Sequence, residues 1–180
     1  MQGNLLIAHP LLNDGFFNRS VIYLTSHGEE GALGFCLNFK TQFMLRDFRP
    51  QVIKGNFPIY EGGPVAKNQL FFLHTLGHNI GDSLLVKDNI FFGGDFNELL
   101  HQIEHGKVKS HEVKFFVGYS GWSTGQLEKE IEMGHWLLQE PTGSNFLNNT
   151  SSENLWGEEL TQVKNSYGIF AEFSSDPMMN

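Results

Sequence analysis

Short apolar runs, separated by turn-forming residues, recur along the whole chain. They are rich in Phe, Ile, Leu and Val, and Gly, Asn, Asp or Ser bounds most of them. This composition is typical of strands, because β-branched and aromatic side chains pack well on a pleated surface. We predict strands at residues 4–9, 20–27, 31–39, 68–75, 82–94, 113–119, 135–140 and 167–173.

Helical periodicity is confined to fewer segments. Residues 95–106 carry apolar side chains at helical spacing, begin at the capping residue Asp95 and end at Gly106. Further helices are predicted at 123–134 and 152–163, with a short one near 43–48. Because the helices do not follow every strand, the order of elements indicates an α+β fold rather than a doubly wound parallel one.

The length of 180 residues predicts a single domain, 1–180, in which a loop at 141–152 leads to a last helix and strand. The first residues lack the basic and long apolar regions of a signal peptide. No apolar run approaches the roughly 20 residues that span a bilayer. The single cysteine, Cys36, fits a reducing compartment. We therefore expect a cytoplasmic protein without a membrane segment.

The charge of the chain bears on its partners. The formal net charge is −8, whereas nucleic-acid binding requires clustered Lys and Arg that replace counterions. The densest basic cluster contains Lys107, Lys109 and Lys114, with Glu112 among them, and its pattern is typical of a solvated loop and strand end. Direct nucleic-acid binding is therefore disfavoured.

The stretch "VGYSGWSTGQLEKEI", residues 117–131, is predicted to be a strand, a glycine-rich turn and a helix. A nucleophile elbow has the pattern G-x-S-x-G, in which both glycines relieve crowding at a strained turn. Here the second glycine comes one position early, and Trp122 stands where a small residue is required. The pattern therefore argues against Ser120 as a nucleophile.

The same stretch has the glycine content of an anion-binding turn at a helix N-terminus. It lacks the lysine of a P-loop, and Glu128 and Glu130 can themselves satisfy the helix dipole. Ser123 and Gln126 have the spacing of a capping box, which explains the helix start without a ligand. We expect Trp122 to pack this turn onto the sheet.

Residues 101–105 spell H-x-x-E-H, a short motif of one group of zinc peptidases. The helical pattern buries the face that carries Leu99 and Ile103, so both histidines point away from it. No glutamate further along is distinguished as a third zinc ligand. We expect a solvated helix face, no metal site and no cofactor.

Several polar or glycine positions lie at predicted turns and strand ends. Gly62 and Gly63 form a turn that permits one backbone to approach another, or a ligand, closely. Arg19, His27 and Asn38 carry polar side chains that need partners. They are either structural hydrogen-bonding groups or binding groups.

Six blocks of the sequence, taken together and in order, resemble the YqgE/AlgH family of bacterial proteins. They are residues 3–38, 61–65, 71–74, 91–100, 117–137 and 176–180. The resemblance implies an α+β fold in which a branched, mostly antiparallel or mixed β-sheet curls into a pseudo-barrel with a few packed helices. It implies a cytosolic bacterial protein but no established reaction. Members are described as uncharacterised or as candidate transcriptional regulators, through a link to alginate control.

The residues that fall on motif positions of the family are the candidate binding residues. They are Arg19, Ser20, His27, Asn38, Gly62, Gly63, Tyr119, Gly121, Trp122, Gln126 and Glu128. The family commonly has alanine at the position of Ser120 and glycine at that of Ser123, which further weakens a role for Ser120 in catalysis.

The leading hypothesis is a non-catalytic regulatory or binding protein, whose partner is another protein or a small anionic ligand. Its surface is expected to join the 118–128 segment, the Gly62–Gly63 turn and the three polar residues Arg19, His27 and Asn38. One alternative is a hydrolase of small molecules that uses Ser120 or a histidine. Another is a DNA-binding transcriptional regulator, which the net charge of −8 disfavours.

Overall fold

The computed structural model describes residues 1–52, 55–141, 147 and 154–163. Ten strands lie within these residues: β1 Leu5–Ala8, β2 Val21–Gly28, β3 Gly31–Cys36, β4 Lys40–Met44, β5 Pro58–Glu61, β6 Val65–His74, β7 Leu84–Lys87, β8 Ile90–Phe92, β9 Val113–Trp122 and β10 Trp136–Gln139. The helices are α1 Leu45–Phe48, α2 Phe96–Glu104, α3 Gln126–Glu132 and α4 Leu155–Gln162, with a 3-10 turn at Gly77–Asn79.

All ten strands belong to one open, curled sheet of the order β10-β1-β2-β3-β9-β6-β8-β7, from which β5 and β4 branch at β9. Every pairing is antiparallel except that of β5 with β9. The α+β prediction and the branched sheet are therefore confirmed.

Strand β9 is the branch point because its two halves have different neighbours on one edge. Its first half pairs with β5, as in Ile59 opposite Phe115, and its second half pairs with β3, as in Gly34 opposite Ser120. The other edge pairs with β6. Gly118 lies between the halves with φ +70°, a left-handed conformation that glycine adopts without steric cost.

The side chains of β9 alternate between two apolar clusters, as the two-residue period of a strand requires. Phe116 and Trp122 belong to the larger cluster, which also contains the buried faces of β1, β2, α3 and α4. Val113 and Phe115 belong to the smaller cluster, where α2 buries Ile103 and its neighbours on the same helix face. Strand β9 therefore contributes side chains to both clusters.

Most of the predicted elements are found. The strands predicted at 4–9, 20–27, 31–39, 68–75, 113–119 and 135–140 are confirmed as β1, β2, β3, β6, β9 and β10. The four predicted helices are confirmed with shorter bounds. Asp95 is the N-cap of α2, since its Oδ1 accepts the N–H groups of Asn97 and Glu98 at 2.9 and 3.1 Å.

Three predictions about local structure are wrong. The single strand at 82–94 is a hairpin of β7 and β8, turned at Asp88, whose φ is +53°. The predicted glycine-rich turn before the helix is shorter than the sequence indicates and is confined to residues 123–125, because pairing with β3 extends β9 to Trp122. The helix after it begins two residues later than a Ser123 cap would place it, with Gly125 at the N-cap. Strands β4 and β5 were not predicted.

Other predictions concern residues that the structure does not describe. The strand at 167–173 and the matching block at 176–180 lie outside the described residues, as does most of the loop at 141–152. The single domain therefore stays a prediction. None of the described helices combines the length and apolar character needed to cross a bilayer.

Candidate functional site

An open cavity of about 770 Å³, called the groove below, lies between the loop after β1, the end of β9, and α3 with the turn that follows it. Its lining comes from two separate parts of the sequence: His9, Leu11, Leu12, Asn13, Asp14 and Phe17 from the first, and Gly121, Trp122, Gln126, Glu130, Met133, Gly134, His135 and Trp136 from the second.

Backbone pairing brings these two parts together. The antiparallel pairing of β1 with β10 continues beyond β1, where the N–H of His9 donates to the carbonyl of His135 at 2.9 Å. The loop then turns at Asp14, whose Oδ1 accepts the N–H groups of Phe16 and Phe17 at 3.1 and 3.2 Å. This turn places the ring of Phe17 against those of Trp122 and Trp136.

The floor of the groove is an aromatic cluster of Phe17, Trp122 and Trp136. Phe17 stacks on Trp122 with 6.4 Å between ring centroids and meets Trp136 edge to face at 5.5 Å. The two indoles meet edge to face at 6.0 Å. Such arrangements stabilise aromatic pairs beyond the area that they bury. Trp122 was expected to pack a turn onto the sheet, but it is itself the last residue of β9, and its ring packs against Phe17 and Trp136.

Glu130 fixes both indoles. Its Oε2 accepts the Nε1–H groups of Trp122 and Trp136 at 2.9 and 2.8 Å, and its Oε1 accepts the Nε2–H of Gln126 at 2.9 Å. The two indoles are only 6% and 3% exposed, so each N–H needs this acceptor. The half-buried carboxylate of α3 is thereby held in a single orientation at the groove.

The groove combines two carboxylates with apolar side chains at its rim. Of the described residues that line it, Asp14 and Glu130 carry carboxylates and none is Lys or Arg. At the rim, the side chains of Leu11 and Met133 are 75% and 68% exposed. The lining suits a ligand that offers hydrogen-bond donors or positive charge together with apolar surface.

Three of the candidate binding residues line the groove: Gly121, Trp122 and Gln126. Gly121 is exposed, and a Cβ at this position would approach the Tyr119 ring to 3.2 Å. The side chain of Gln126 spans two partners, because its Oε1 accepts the N–H of Ser123 at 3.0 Å while its Nε2 donates to Glu130. Half of the predicted capping box is therefore present.

Two further candidates, His27 and Glu128, form a pair that joins β2 to α3. Nε2 of His27 and Oε1 of Glu128 are 2.5 Å apart. This hydrogen bond lowers the pKa of the Glu128 carboxyl below its ordinary value. Nearby, the Thr124 hydroxyl donates to the carbonyl of Glu29 at 2.8 Å. These contacts attach the start of α3 to the β2–β3 turn.

Gly62 and Gly63 lie buried against β9, where they permit the sheet to branch. The Gly62 carbonyl accepts the N–H of Cys36 at 2.9 Å and the Ser120 hydroxyl at 3.0 Å. A Cβ on Gly63 would lie 2.1 Å from the Tyr119 carbonyl oxygen, a distance that no side chain tolerates. Both glycines therefore serve close backbone packing.

Arg19, Ser20 and Asn38 meet at the start of β2. Asn38 donates from Nδ2 to the Arg19 carbonyl and accepts the Val21 N–H at Oδ1, both at 2.9 Å. Arg19 has φ +55°, and its guanidinium carbon lies 5.2 Å from the centre of the Trp156 ring. The Ser20 hydroxyl is buried and has no hydrogen-bond partner among the described residues. Asn38 thus holds the backbone that leads into β2.

The geometry gives Ser120 a structural role. Its side chain is fully buried and its hydroxyl donates to the Gly62 carbonyl, which leaves it neither exposed nor activated as a nucleophile must be. The hydrolase hypothesis through Ser120 gains no support from this arrangement.

A histidine and a serine do meet elsewhere, at His74 and Ser83. Nε2 of His74 lies 3.0 Å from both the Ser83 hydroxyl and the Gly93 carbonyl, while its Nδ1 accepts the N–H of Leu76. An imidazole that accepts at Nδ1 carries its proton at Nε2, so it cannot take a proton from Ser83 there. Burial of His74 also lowers its pKa. This pair holds the β6 end in place.

Lys114 corrects the prediction of a solvated basic cluster. Its side chain is 1% exposed, and its Nζ lies 3.7 Å from the centre of the Tyr60 ring. Burial lowers the pKa of Lys114 to about 7, and burial raises the pKa of the Cys36 thiol to about 12. The basic cluster is therefore divided between surface and core.

The H-x-x-E-H residues form part of α2 and its C-terminal end. His101 and His105 are both exposed, and Nδ1 of His105 is 2.7 Å from the His101 carbonyl. The described residues contain no group of three or more His, Cys, Asp or Glu side chains placed to hold a metal ion.

Several residues of the groove were not among the candidates: His9, Asp14, Phe17, Glu130 and Trp136. From the sequence, Glu130 is expected only to interact with the helix dipole. Its position four residues after Gln126 places both on one helix face, and this spacing was the available signal. The contributions of His9 and Phe17 depend on the pairing of β1 with β10, which no local pattern indicates.

Comparison with known proteins supports the resemblance. The sequence profile of one family, described as DUF179, AlgH-like, matches residues 5–168. A UPF0301 protein from Parabacteroides distasonis is 41% identical over 182 residues, which cover 100% of this chain and 91% of the relative. Another UPF0301 protein, from Cytophaga hutchinsonii, is 34% identical over 99% of this chain and 98% of the relative.

Two solved structures have the same fold. The crystal structure of a Corynebacterium diphtheriae protein superposes with a TM-score of 0.80 at 20% identity and covers 96% of this chain and 92% of that one. The solution structure of the AlgH protein from Pseudomonas aeruginosa gives a TM-score of 0.72 at 24% identity and covers 96% and 93%. At these identities the similarity establishes the fold.

Proposed function

The chain belongs to the AlgH-like family, and we propose that it is a non-catalytic regulatory module that binds a partner in the groove. The observation that carries this proposal is that Gly121, Trp122 and Gln126, which lie in the block resembling the family, line a concave surface whose polar groups are already oriented. Pre-oriented polar groups in a concave, partly apolar site are the usual features of a binding site.

The proposal places regulation in the contact with a partner rather than with DNA. The net charge of −8 and the carboxylates of the groove oppose a polyanion. A cytoplasmic location belongs to the proposal, because a single buried thiol suits a reducing compartment.

The test alters the rim of the groove without disturbing the core. Leu11→Glu places a carboxylate at a side chain that is 75% exposed, and Leu84→Glu, at a 64% exposed side chain of β7, is the matched control. Each tagged protein is used to capture partners from a lysate of Parabacteroides distasonis, and the captured proteins are quantified by mass spectrometry. We expect Leu84→Glu and the unaltered protein to retain the same partner and Leu11→Glu to lose most of it.

The opposite result is equally clear. A partner retained in equal amounts by Leu11→Glu would exclude the groove as its binding surface. A thermal-shift screen of metabolites on the same three proteins covers the case of a small ligand, because a ligand that binds the folded state raises the midpoint of unfolding. If a small molecule raises the midpoint of unfolding of both variants as much as that of the unaltered protein, its binding site lies outside the groove.

A further inference from the structure

Resting on the proposed function, we propose that the groove receives an arginine side chain from an apolar segment of a partner protein. The guanidinium donates to the Glu130 carboxylate, and the apolar neighbours of the arginine rest on Leu11 and Met133. This deepens the proposed function by naming the chemistry of the partner.

The charge of Glu130 supports this proposal. Its carboxylate is half-buried and accepts three hydrogen bonds, all from the neutral donors Trp122, Trp136 and Gln126. No Lys or Arg of the described residues forms an ion pair with it. A carboxylate removed from water is stabilised by a cation, so a cation that enters the groove would complement it.

The Glu130 carboxylate can also accept a further hydrogen bond. A carboxylate has about four acceptor positions, and the three neutral donors occupy two at Oε2 and one at Oε1. Glu130 also lines the groove. A donor that enters the groove therefore finds a vacant acceptor position at Oε1, with no rearrangement of the indoles.

The size and the apolar rim of the groove favour arginine on a peptide over a small free cation. The groove of about 770 Å³ is open and far larger than an ammonium ion or a guanidinium needs. Leu11 and Met133 stand at its rim with most of their surface exposed. Apolar residues beside the arginine would cover them, whereas a small cation would not. The aliphatic stem and the planar guanidinium of an arginine can pack against the ring of Phe17, which lines the same groove.

The lining does not favour the small anionic ligand considered from the sequence. Asp14 and Glu130 both carry negative charge, and the described residues of the lining supply no Lys or Arg to offset it. An anion placed between them would be repelled in a site that is partly shielded from water. Charge complementarity instead selects a basic group.

The experiment uses three bead-bound heptapeptide libraries with mixed Leu, Ile, Val, Met and Ala flanks. The central residue is arginine in the first library, its neutral isostere citrulline in the second and glutamate in the third. Binding of the full-length protein is followed by isotope-edited NMR of the indole Nε1–H groups. Trp122 and Trp136 report on the site, and Trp156, whose indole donates to the Ala8 carbonyl at 2.8 Å, is the internal control.

We expect the arginine library to yield binders, and the best of them to weaken at least about tenfold when its arginine is replaced by citrulline, as loss of a charge-assisted hydrogen bond predicts. The bound peptide shifts the Trp122 and Trp136 resonances and leaves that of Trp156 in place. Glu130→Gln weakens binding by a similar factor, and Glu132→Gln, an exposed position on the same helix, does not.

Three outcomes would overturn the inference. They are equal binding of the arginine and citrulline peptides, unaltered binding to Glu130→Gln, and an absence of binders from the arginine library. Agmatine that binds as tightly as the best peptide would overturn the assignment to a protein segment. The arginine and citrulline comparison uses the unaltered protein, so it holds even if Glu130→Gln folds poorly. The Leu11→Glu capture experiment judges the proposed function separately.

Discussion

The ammonium group of Lys114 lies 3.7 Å from the centre of the Tyr60 ring, inside the core of the sheet. Lys114 is 1% exposed and Tyr60 is fully buried. A cation over an aromatic face is attracted to it, but burial opposes the charge more strongly and lowers the pKa of Lys114 to about 7. The folded protein therefore carries a lysine that releases its proton near neutral pH.

This lysine should make stability depend on pH. Its pKa is about 7 when folded and 10.5 in the ordinary state, so between these values the unfolded chain binds more protons than the folded one. The free energy of unfolding should then rise with pH across that interval, by up to roughly 1.4 kcal/mol per pH unit. Urea unfolding of the unaltered protein and Lys114→Met at pH 7, 8 and 9 measures the effect.

The comparison with Lys114→Met isolates the lysine together with its electrostatic coupling to Cys36, because groups far from Lys114 titrate equally in both proteins. We expect the methionine variant to be the more stable at pH 7, with an advantage that shrinks as pH rises towards 10. Unfolding curves that keep a constant separation at all three pH values would show that Lys114 does not lose its proton in this range.

The close approach of Gly63 to β9 should make it intolerant of a side chain. A Cβ at Gly63 would lie 2.1 Å from the Tyr119 carbonyl oxygen, whereas one at Gly28 would meet nothing within 4 Å. We expect Gly63→Ala to lower the free energy of unfolding by about 3 kcal/mol or more, and Gly28→Ala to change it by less than about 0.5 kcal/mol. Chemical denaturation checks both, and comparable stability of the two variants would contradict the branch geometry.

The carboxylate of Glu130 should be necessary for the order of two tryptophans. Glu130→Ala removes the acceptor of both buried indole N–H groups, so we expect a loss of about 2–4 kcal/mol in the free energy of unfolding. The indole resonances of Trp122 and Trp136 should move, and that of Trp156 should not. Glu132→Ala is the control on the same helix. Unmoved indole resonances in Glu130→Ala would refute the shared hydrogen bond.

The pair of His27 and Glu128 should be visible in the titration of Glu128. The histidine hydrogen bond lowers the pKa of this carboxyl, so His27→Ala should raise it towards 4.5. Any stability that the pair contributes is present above the unfolded pKa and disappears as pH falls through the lower folded value. Carboxyl NMR titration measures the change, with His101→Ala as the control. An unchanged Glu128 pKa in His27→Ala would show that the contact is absent in solution.

The effect of that pair on stability should be small. Glu128 is exposed, and solvent screens an ion pair at the surface. A large loss of stability in His27→Ala would therefore point to a role for His27 beyond this contact.

Elements that depend on short-range order could be predicted from the amino-acid sequence alone. The apolar runs of β1, β2, β3 and β10 predict strands because the strand preference of each run lies within it. The N-cap Asp95 and the stop at Gly106 bound α2, because capping satisfies backbone groups only a few residues away. Fold class followed from the order of these elements and from the resemblance to the family.

Elements that depend on distant partners, and the groove itself, could be identified only from the folded structure. Strand β4 has mostly exposed side chains and is held by β5. Gly121 and Trp122 belong to β9 rather than to a turn, because pairing with β3 supplies their backbone hydrogen bonds. The groove joins residues 9–17 to residues 121–136 through the pairing of β1 with β10. Local sequence patterns do not show which distant segments pair through their backbones. These features therefore could not be predicted from the sequence.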